Sequence, residues 1–178
     1  MRRVAIVGSG GAGKSTLARR MGEITGLPVV DLDRLYWRPG WTPTPKPEWR
    51  ETVQRLVEED LWIIDGNYMS TMGIRIPAAD TILFMDYSRI RCMWRTTRRV
   101  LTYRRHVRPD MGEDCPEKIN VSCYKWMWNF RKDIRPKIMA LIEANRNGKE
   151  VYILRNPKDA DRLLAELQRK PGRLFQQA

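Results

Sequence analysis

The stretch Gly8-Ser9-Gly10-Gly11-Ala12-Gly13-Lys14-Ser15-Thr16 matches G-x-x-x-x-G-K-[ST] at every fixed position. The pattern constrains the fold because such a loop works only between a buried strand and the N-terminus of a helix. Glycines let backbone N–H groups curl around phosphate oxygens, and the helix end turns its positive dipole toward them. The flanking residues agree with this. Val4-Ala5-Ile6-Val7 is a short apolar run of the kind a buried strand needs, and Leu17, Ala18, Met21 and Ile24 form one apolar helical face. In this geometry Lys14 reaches β- and γ-phosphates, the Ser15 hydroxyl sits on Mg²⁺, and Thr16 lies near the α-phosphate.

Four more apolar runs follow: Leu27-Pro28-Val29-Val30, Leu61-Trp62-Ile63-Ile64, Thr81-Ile82-Leu83-Phe84-Met85 and Val151-Tyr152-Ile153-Leu154. They are continuous rather than alternating, which predicts strands buried on both faces of a parallel sheet. Between them lie helical patterns. One begins near Pro45 or Pro47 and buries Trp49, Val53, Leu56 and Val57. A basic helix is expected over 88–103, one continuous helix over 120–144, and a last helix over 158–168. Strands alternating with helices mean α/β, with helices on both sheet faces. At 178 residues the chain suits a single domain over 1–170 with a tail over 171–178.

The formal net charge is +12, and eight of those charges sit together as Arg89, Arg91, Arg95, Arg98, Arg99, Arg104, Arg105 and Arg108. Such a patch suits polyanions. It reads as a clamp on nucleotide phosphates, as a nonspecific nucleic-acid surface, or as a solvated helix face; the self-repulsion of so many arginines without acidic partners disfavours the last. Arg108-Pro109-Asp110-Met111-Gly112 reads as the turn-rich tip of a lid. No run is long enough to span a membrane, and Met1-Arg2-Arg3 leads directly into a strand where a signal peptide would carry its apolar core. Cys92, Cys115 and Cys123 are odd in number and lack C-x-x-C spacing, so a cytoplasmic protein without disulfides or structural zinc is expected.

Ligands of open parallel sheets bind beyond the carboxyl ends of the strands. Polar residues are placed there: Asp31-Leu32-Asp33, Asp65-Gly66-Asn67-Tyr68, Asp86, and Arg155-Asn156. Asp31 and Asp33 point the same way if their strand continues, and a carboxylate there either accepts a hydroxyl proton or orients metal-bound water; helix capping is the competing role. Asp65 suits Mg²⁺ or a water, or a turn before Gly66. Tyr36, Trp37 and Trp41 surround Arg38-Pro39-Gly40 and either stack a planar substrate or pack the loop onto the body. Tyr124, Trp126, Trp128 and Phe130 are spaced for two faces of a helix and read as core.

With these residues assembled, nearly the whole chain resembles P-loop nucleoside and nucleotide kinases of the adenylate kinase type. More narrowly, it is similar to bacterial DNA topology modulation proteins, or adenylate-kinase-related ATPases. The likeness rests on Gly8 to Thr16, on Asp31-Leu32-Asp33 with Tyr36-Trp37-Arg38-Pro39-Gly40-Trp41, on Asp65-Gly66-Asn67-Tyr68, and on Arg108-Pro109-Asp110-Met111 with Cys115-Pro116-Glu117. It implies a three-layer α/β/α fold, a five-stranded parallel sheet of order 2-3-1-4-5, and a basic helical lid over about 104–120 closing on ATP. Arg95 and Arg99 match a pair of arginines that contact adenine and phosphates in adenylate kinases. Arg131 and Arg135 match phosphate-reaching arginines on the helix after the lid, and Arg155 matches a loop that touches adenine. The segment Gly66-Asn67-Tyr68-Met69-Ser70 departs from the Gly-Phe-Pro-Arg-Thr-like stretch that holds the acceptor nucleotide in adenylate kinases, and Asp31-Leu32-Asp33 looks more like kinases of small hydroxylated acceptors such as shikimate kinase.

The expectation is therefore an ATP-binding, Mg²⁺-dependent kinase-like enzyme. Gly8 to Thr16 hold ATP; Lys14, Arg95 and Arg99 offset charge on the transferring group; Ser15 and Asp65 order the metal. Asp33 holds or deprotonates the acceptor, with Asp31, Tyr36, Trp37 and Asn67 around it. The alternative is a DNA-binding ATPase that uses the arginine stretch.

Overall fold

In the computed structural model, residues 1–103, 106, 114–117 and 119–169 are described. The expected lid over about 104–120 therefore lies largely outside the described residues, and the tail over 171–178 entirely so.

The chain opens with β1 (Arg3–Gly8) and α1 (Lys14–Thr25) on either side of the glycine loop. It continues through β2 (Val29–Asp31), the short helix α2 (Leu32–Tyr36), and a small hairpin of β3 (Trp37–Arg38) and β4 (Thr42–Pro43). Next come α3 (Lys46–Glu58), β5 (Trp62–Asp65), α4 (Met69–Ala78), β6 (Thr81–Met85) and α5 (Arg89–Thr102). The chain continues with α6 (Val121–Asp133), α7 (Arg135–Ala144), β7 (Glu150–Leu154) and α8 (Pro157–Arg169). The main sheet has five strands, all parallel, in the order β2-β5-β1-β6-β7. These labels differ from the expected 2-3-1-4-5 by the two hairpin strands, which pair only with each other.

The continuous apolar strands are explained by two cores, one on each sheet face. Val4 and Ile6 of β1, Ile63 of β5, and Leu83 and Met85 of β6 face α1 and α8, meeting Leu17, Met21, Leu163 and Leu164. The intervening Ala5, Val7, Ile64, Ile82 and Phe84 face the opposite way, onto Trp49 and Val53 of α3, Met72 and Ile76 of α4, and Ile138 and Ile142 of α7. A strand covered by helices on both sides has no polar face to display.

Three local expectations are corrected. The single helix over 120–144 is two helices, α6 and α7. Pro136 sits in the first turn of α7 and brings no N–H with which to continue the α6 ladder. Helix α4 was not foreseen, because Gly73, Arg75 and Pro77 interrupt its apolar pattern; Pro77, in its last turn, has no N–H to give the Gly73 carbonyl. The aromatic series on α6 is not all core. Phe130 is buried, but Trp128 is exposed with the Arg89 guanidinium 4.1 Å from its ring, and Tyr124 and Trp126 line a cavity.

Candidate functional site

The glycine loop leaves β1 at Gly8 and enters α1 at Lys14, and its shape depends on what packs behind it. Gly11 and Gly13 hold left-handed backbone, φ 70° and 98°. Space forbids a side chain at Gly11, since a Cβ there would lie 2.3 Å from the Cys92 carbonyl and 2.4 Å from Thr96 Oγ1 of α5. At Gly13 a Cβ would stand 2.9 Å from an Arg95 guanidinium nitrogen. The loop is thus pressed onto the basic helix, and that contact sets the Arg95 guanidinium against Gly13. Lys14 Nζ donates to the Ser9 carbonyl at 3.2 Å, and the Gly8 N–H donates to Asn67 Oδ1 at 3.3 Å, tying the loop to the end of β5.

Above the loop is a cavity of about 1060 Å³. Of the glycine loop, Gly10, Gly11, Gly13, Lys14, Ser15 and Thr16 line it; Gly8, Ser9 and Ala12 form the turn beneath. One flank is built from the ends of β2 and β5 and carries Asp33, Asp65, Asn67 and Tyr68, with Trp37 and Trp41 of the hairpin. The other flank is α5, with Arg95, Thr96 and Arg99. A carboxylate, a phosphate loop and two guanidinium groups therefore face one space.

The β2 edge differs in detail from expectation. The strand ends at Asp31 and a helix starts at once, so Asp31 and Asp33 do not continue an alternating strand. Asp31 caps α2, its Oδ1 accepting from the Asp33 N–H at 3.1 Å, and is not part of the lining. Asp33 turns into the cavity and accepts a hydrogen bond from the Tyr68 hydroxyl at 2.7 Å. Burial first, and the Asp33 carboxylate second, push the Tyr68 phenol well above its ordinary value, so it stays a neutral donor. Tyr36 lies behind the lining, its ring 4.9 Å from Trp37, 5.0 Å from Trp49 and 4.5 Å from Tyr68.

Two residues to which the sequence assigned no role organise the surroundings of the cavity. Arg75 is fully buried; its guanidinium donates to the carbonyls of Gly66 at 2.9 Å and Tyr68 at 3.1 Å. Desolvation lowers it to about 10, opposed by the nearby Asp65 carboxylate. A lone arginine among Met72, Ile74 and Ile76 was the signal that could have found it. Glu117 is buried and pairs with Arg99, Nε to Oε1 3.1 Å. The segment that carries it is stitched to the hairpin. Trp41 Nε1 donates to the Pro116 carbonyl at 3.1 Å, the Gly40 N–H to the Asp114 carbonyl at 3.0 Å, and the Cys115 thiol to the Arg38 carbonyl at 3.4 Å.

Other expected residues are not brought to the cavity. Arg131 and Arg155 are exposed and outside its lining. Arg135 is engaged by the Asp86 carboxylate at 2.9 Å. Within the arginine stretch, Arg95 and Arg99 turn inward while Arg89, Arg91 and Arg98 are exposed; Arg104, Arg105 and Arg108 lie outside the described residues. Among the described residues, no cluster of three or more His, Cys, Asp or Glu could hold a metal alone, and no helix is long and apolar enough to cross a membrane.

No family model matches the chain, and no curated protein matches it. Solved structures do. A deoxyadenosine kinase from M. mycoides, solved with dCMP and dCDP, superposes with a TM-score of 0.54 at 10% identity, covering 97% of this chain and 100% of that one. A gluconokinase from Sinorhizobium meliloti 1021 gives 0.51 at 16% identity, over 98% and 95% of the two chains. A putative kinase from Chloroflexus aurantiacus gives 0.51 at 15% identity, over 95% and 98%. At such identities the likeness is one of fold. The chain has the α/β fold of the P-loop kinases.

Proposed function

We propose that this chain is an ATP-dependent phosphotransferase acting on a small hydroxylated acceptor. The observation that carries the reading is the meeting, in one cavity, of the Gly8–Thr16 loop with the Asp33 carboxylate on one flank and Arg95 and Arg99 on the other. ATP phosphates would lie along the loop. Lys14 and Arg95 would stabilise the charge that spreads over the transferring group, and Asp33 would orient the acceptor hydroxyl and take its proton. Tyr68 would hold Asp33 in place by its hydrogen bond. Catalysis would come from positioning and electrostatics, because phosphoryl transfer asks little covalent work of the protein.

The donor set fits Mg²⁺. Ser15 offers a hydroxyl and Asp65 a carboxylate, both lining the cavity near the loop, and Mg²⁺ is commonly held by one or two protein oxygens with water and phosphate completing its shell. When bound it would neutralise charge on the β- and γ-phosphates. We further infer, from the motifs that run from Asp31 to Trp41 and from Asp65 to Tyr68, kinship with the adenylate-kinase-related ATPases of the topology modulation type, and, from three cysteines without C-x-x-C spacing, that the protein works in the cytoplasm.

The test is ATP turnover with Mg²⁺ across a panel of nucleosides, nucleotides and small alcohols. Lys14→Ala is expected to lower transfer by about a hundredfold or more, and undiminished activity in that variant would sink the assignment. The comparisons lend the DNA-binding alternative no support. It enters only as an outcome: hydrolysis stimulated by DNA, with no acceptor phosphorylated.

A further inference from the structure

We infer that the acceptor is a non-phosphorylated alcohol bearing a flat ring, a nucleoside-like molecule rather than a nucleotide or a sugar acid. The inference rests on the phosphotransferase reading above and narrows it.

Charge is the first ground. The flank beyond β2 and β5 carries Asp33 and Asp65, and Glu117 faces the same cavity. Among the described residues, the cations beside these carboxylates are committed: Arg75 to the Gly66 and Tyr68 carbonyls beside Asp65, and Arg99 to Glu117. The Tyr68 phenol stays neutral, so the hydrogen bond it donates to Asp33 brings no positive charge to that carboxylate. The remaining cations of the described lining, Lys14, Arg19 and Arg95, belong to the glycine loop, to α1, and to the part of α5 pressed against the loop. A phosphate or carboxylate on the acceptor would face like charge, whereas a hydroxyl finds an acceptor oxygen on Asp33.

Shape is the second ground. At about 1060 Å³ the cavity stands at the upper end of the range for a single small ligand, enough for ATP and a second molecule. The wall opposite α5 is aromatic and braced. Trp37 and Trp41 meet edge to face at 5.4 Å; Tyr36 supports Trp37 from behind, and the Pro116 carbonyl fixes the Trp41 indole. Indoles held in this way form a stacking platform for a planar ring and give a flexible open-chain polyol little to grip. In the transfer, the alcohol oxygen forms a bond to the γ-phosphorus as the bond from that phosphorus to the β,γ-bridging oxygen breaks. The hydroxyl proton passes to Asp33, leaving a phosphate monoester and ADP.

The experiment uses the full chain and matched probes: thymidine with thymidine 5′-monophosphate, inosine with inosine 5′-monophosphate, and gluconate as an anionic, ringless alcohol. Binding is read without ATP from quenching of tryptophan fluorescence, and phosphate transfer separately with labelled ATP. Each nucleoside is expected to bind at least about tenfold tighter than its monophosphate or gluconate. Trp37→Phe should weaken nucleoside binding by a similar factor, and Asp33→Asn should shrink the discrimination against the monophosphate. A preference for a monophosphate would overturn the inference and assign Arg19 to the acceptor phosphate. Tighter binding of gluconate, no binding of either nucleoside, or unchanged binding in Trp37→Phe would overturn it too. Nucleosides that bind with the stated preference but receive no phosphate would instead sink the phosphotransferase reading and leave the specificity of the flank intact.

Discussion

Tyr68 holds its proton because it is buried and because an Asp33 carboxylate oxygen lies 2.7 Å from its hydroxyl. The folded protein therefore keeps this proton above pH 10.0, where the unfolded chain releases it. The folded state then binds more protons, so this group's contribution to stability falls as the pH rises beyond that point. In Tyr68→Phe the loss is absent. The variant should be less stable than wild type by about 0.5–1.5 kcal/mol near neutrality, and the gap should narrow from about pH 9 to about pH 11. Urea unfolding of both proteins at each pH tests this, and a gap that widens would contradict it. At this scale the sequence was legible where a residue's role follows from backbone geometry. Gly11, Gly13, Lys14 and Ser15 are dictated by the loop, and they line the cavity. Roles that depend on tertiary approach were not legible. Asp31 and Asp33 look equivalent in the sequence until α2 begins at Leu32 and separates a cap from a cavity residue. Arg135 looks as free to meet a phosphate as Arg95 until Asp86 engages it.

Among the elements, the contact between the glycine loop and α5 is the one on which the site most depends. Gly11→Ala would drive a methyl into the Cys92 carbonyl and Thr96 at a left-handed position. A loss of about 1–3 kcal/mol is expected, together with weakened ATP binding as α5 and Arg95 shift. Gly148 supplies the control, since its φ is 71° yet a Cβ there would meet nothing within 4 Å. Gly148→Ala should lower the melting temperature less and leave ATP affinity unchanged. Equal effects in calorimetry and ATP titration would show that backbone strain, not packing on α5, governs the loop. The central strands β1, β5 and β6 were legible as elements because burial on both faces leaves an uninterrupted apolar signature, whereas the edge strand β2 has no buried residue and the hairpin strands β3 and β4 were not foreseen. Helix α4 was not, because it buries Arg75 whole and spends that side chain on backbone carbonyls, a use that no apolar period reveals.

For the molecule as a whole, the sheet divides the interior into two cores that share strands but not side chains. Ile6 belongs to the core under α1 and α8, and Ile138 to the one under α3, α4 and α7. Ile6→Val and Ile138→Val should each cost about 0.5–1.5 kcal/mol. The double variant should lose the sum to within about 0.5 kcal/mol, as independent sites do. A larger deviation in denaturant unfolding would mean that strain crosses the sheet. The layered architecture followed from the alternation of strands and helices, and the superposition with P-loop kinases agrees with it. What the alternation could not supply was the tie between two segments more than seventy residues apart in the chain, the hairpin and Asp114–Glu117. That tie ends on main-chain carbonyls in all three bonds, but two of its donors are the Trp41 indole and the Cys115 thiol, so it depends on those two side chains and on how many residues each segment contains. In any lineage descended from this protein, the two segments should keep the Trp41 and Cys115 donors and gain or lose residues only together. Acceptor preference could then be rewritten by exchanging both as a pair, while the glycine loop is inherited unchanged.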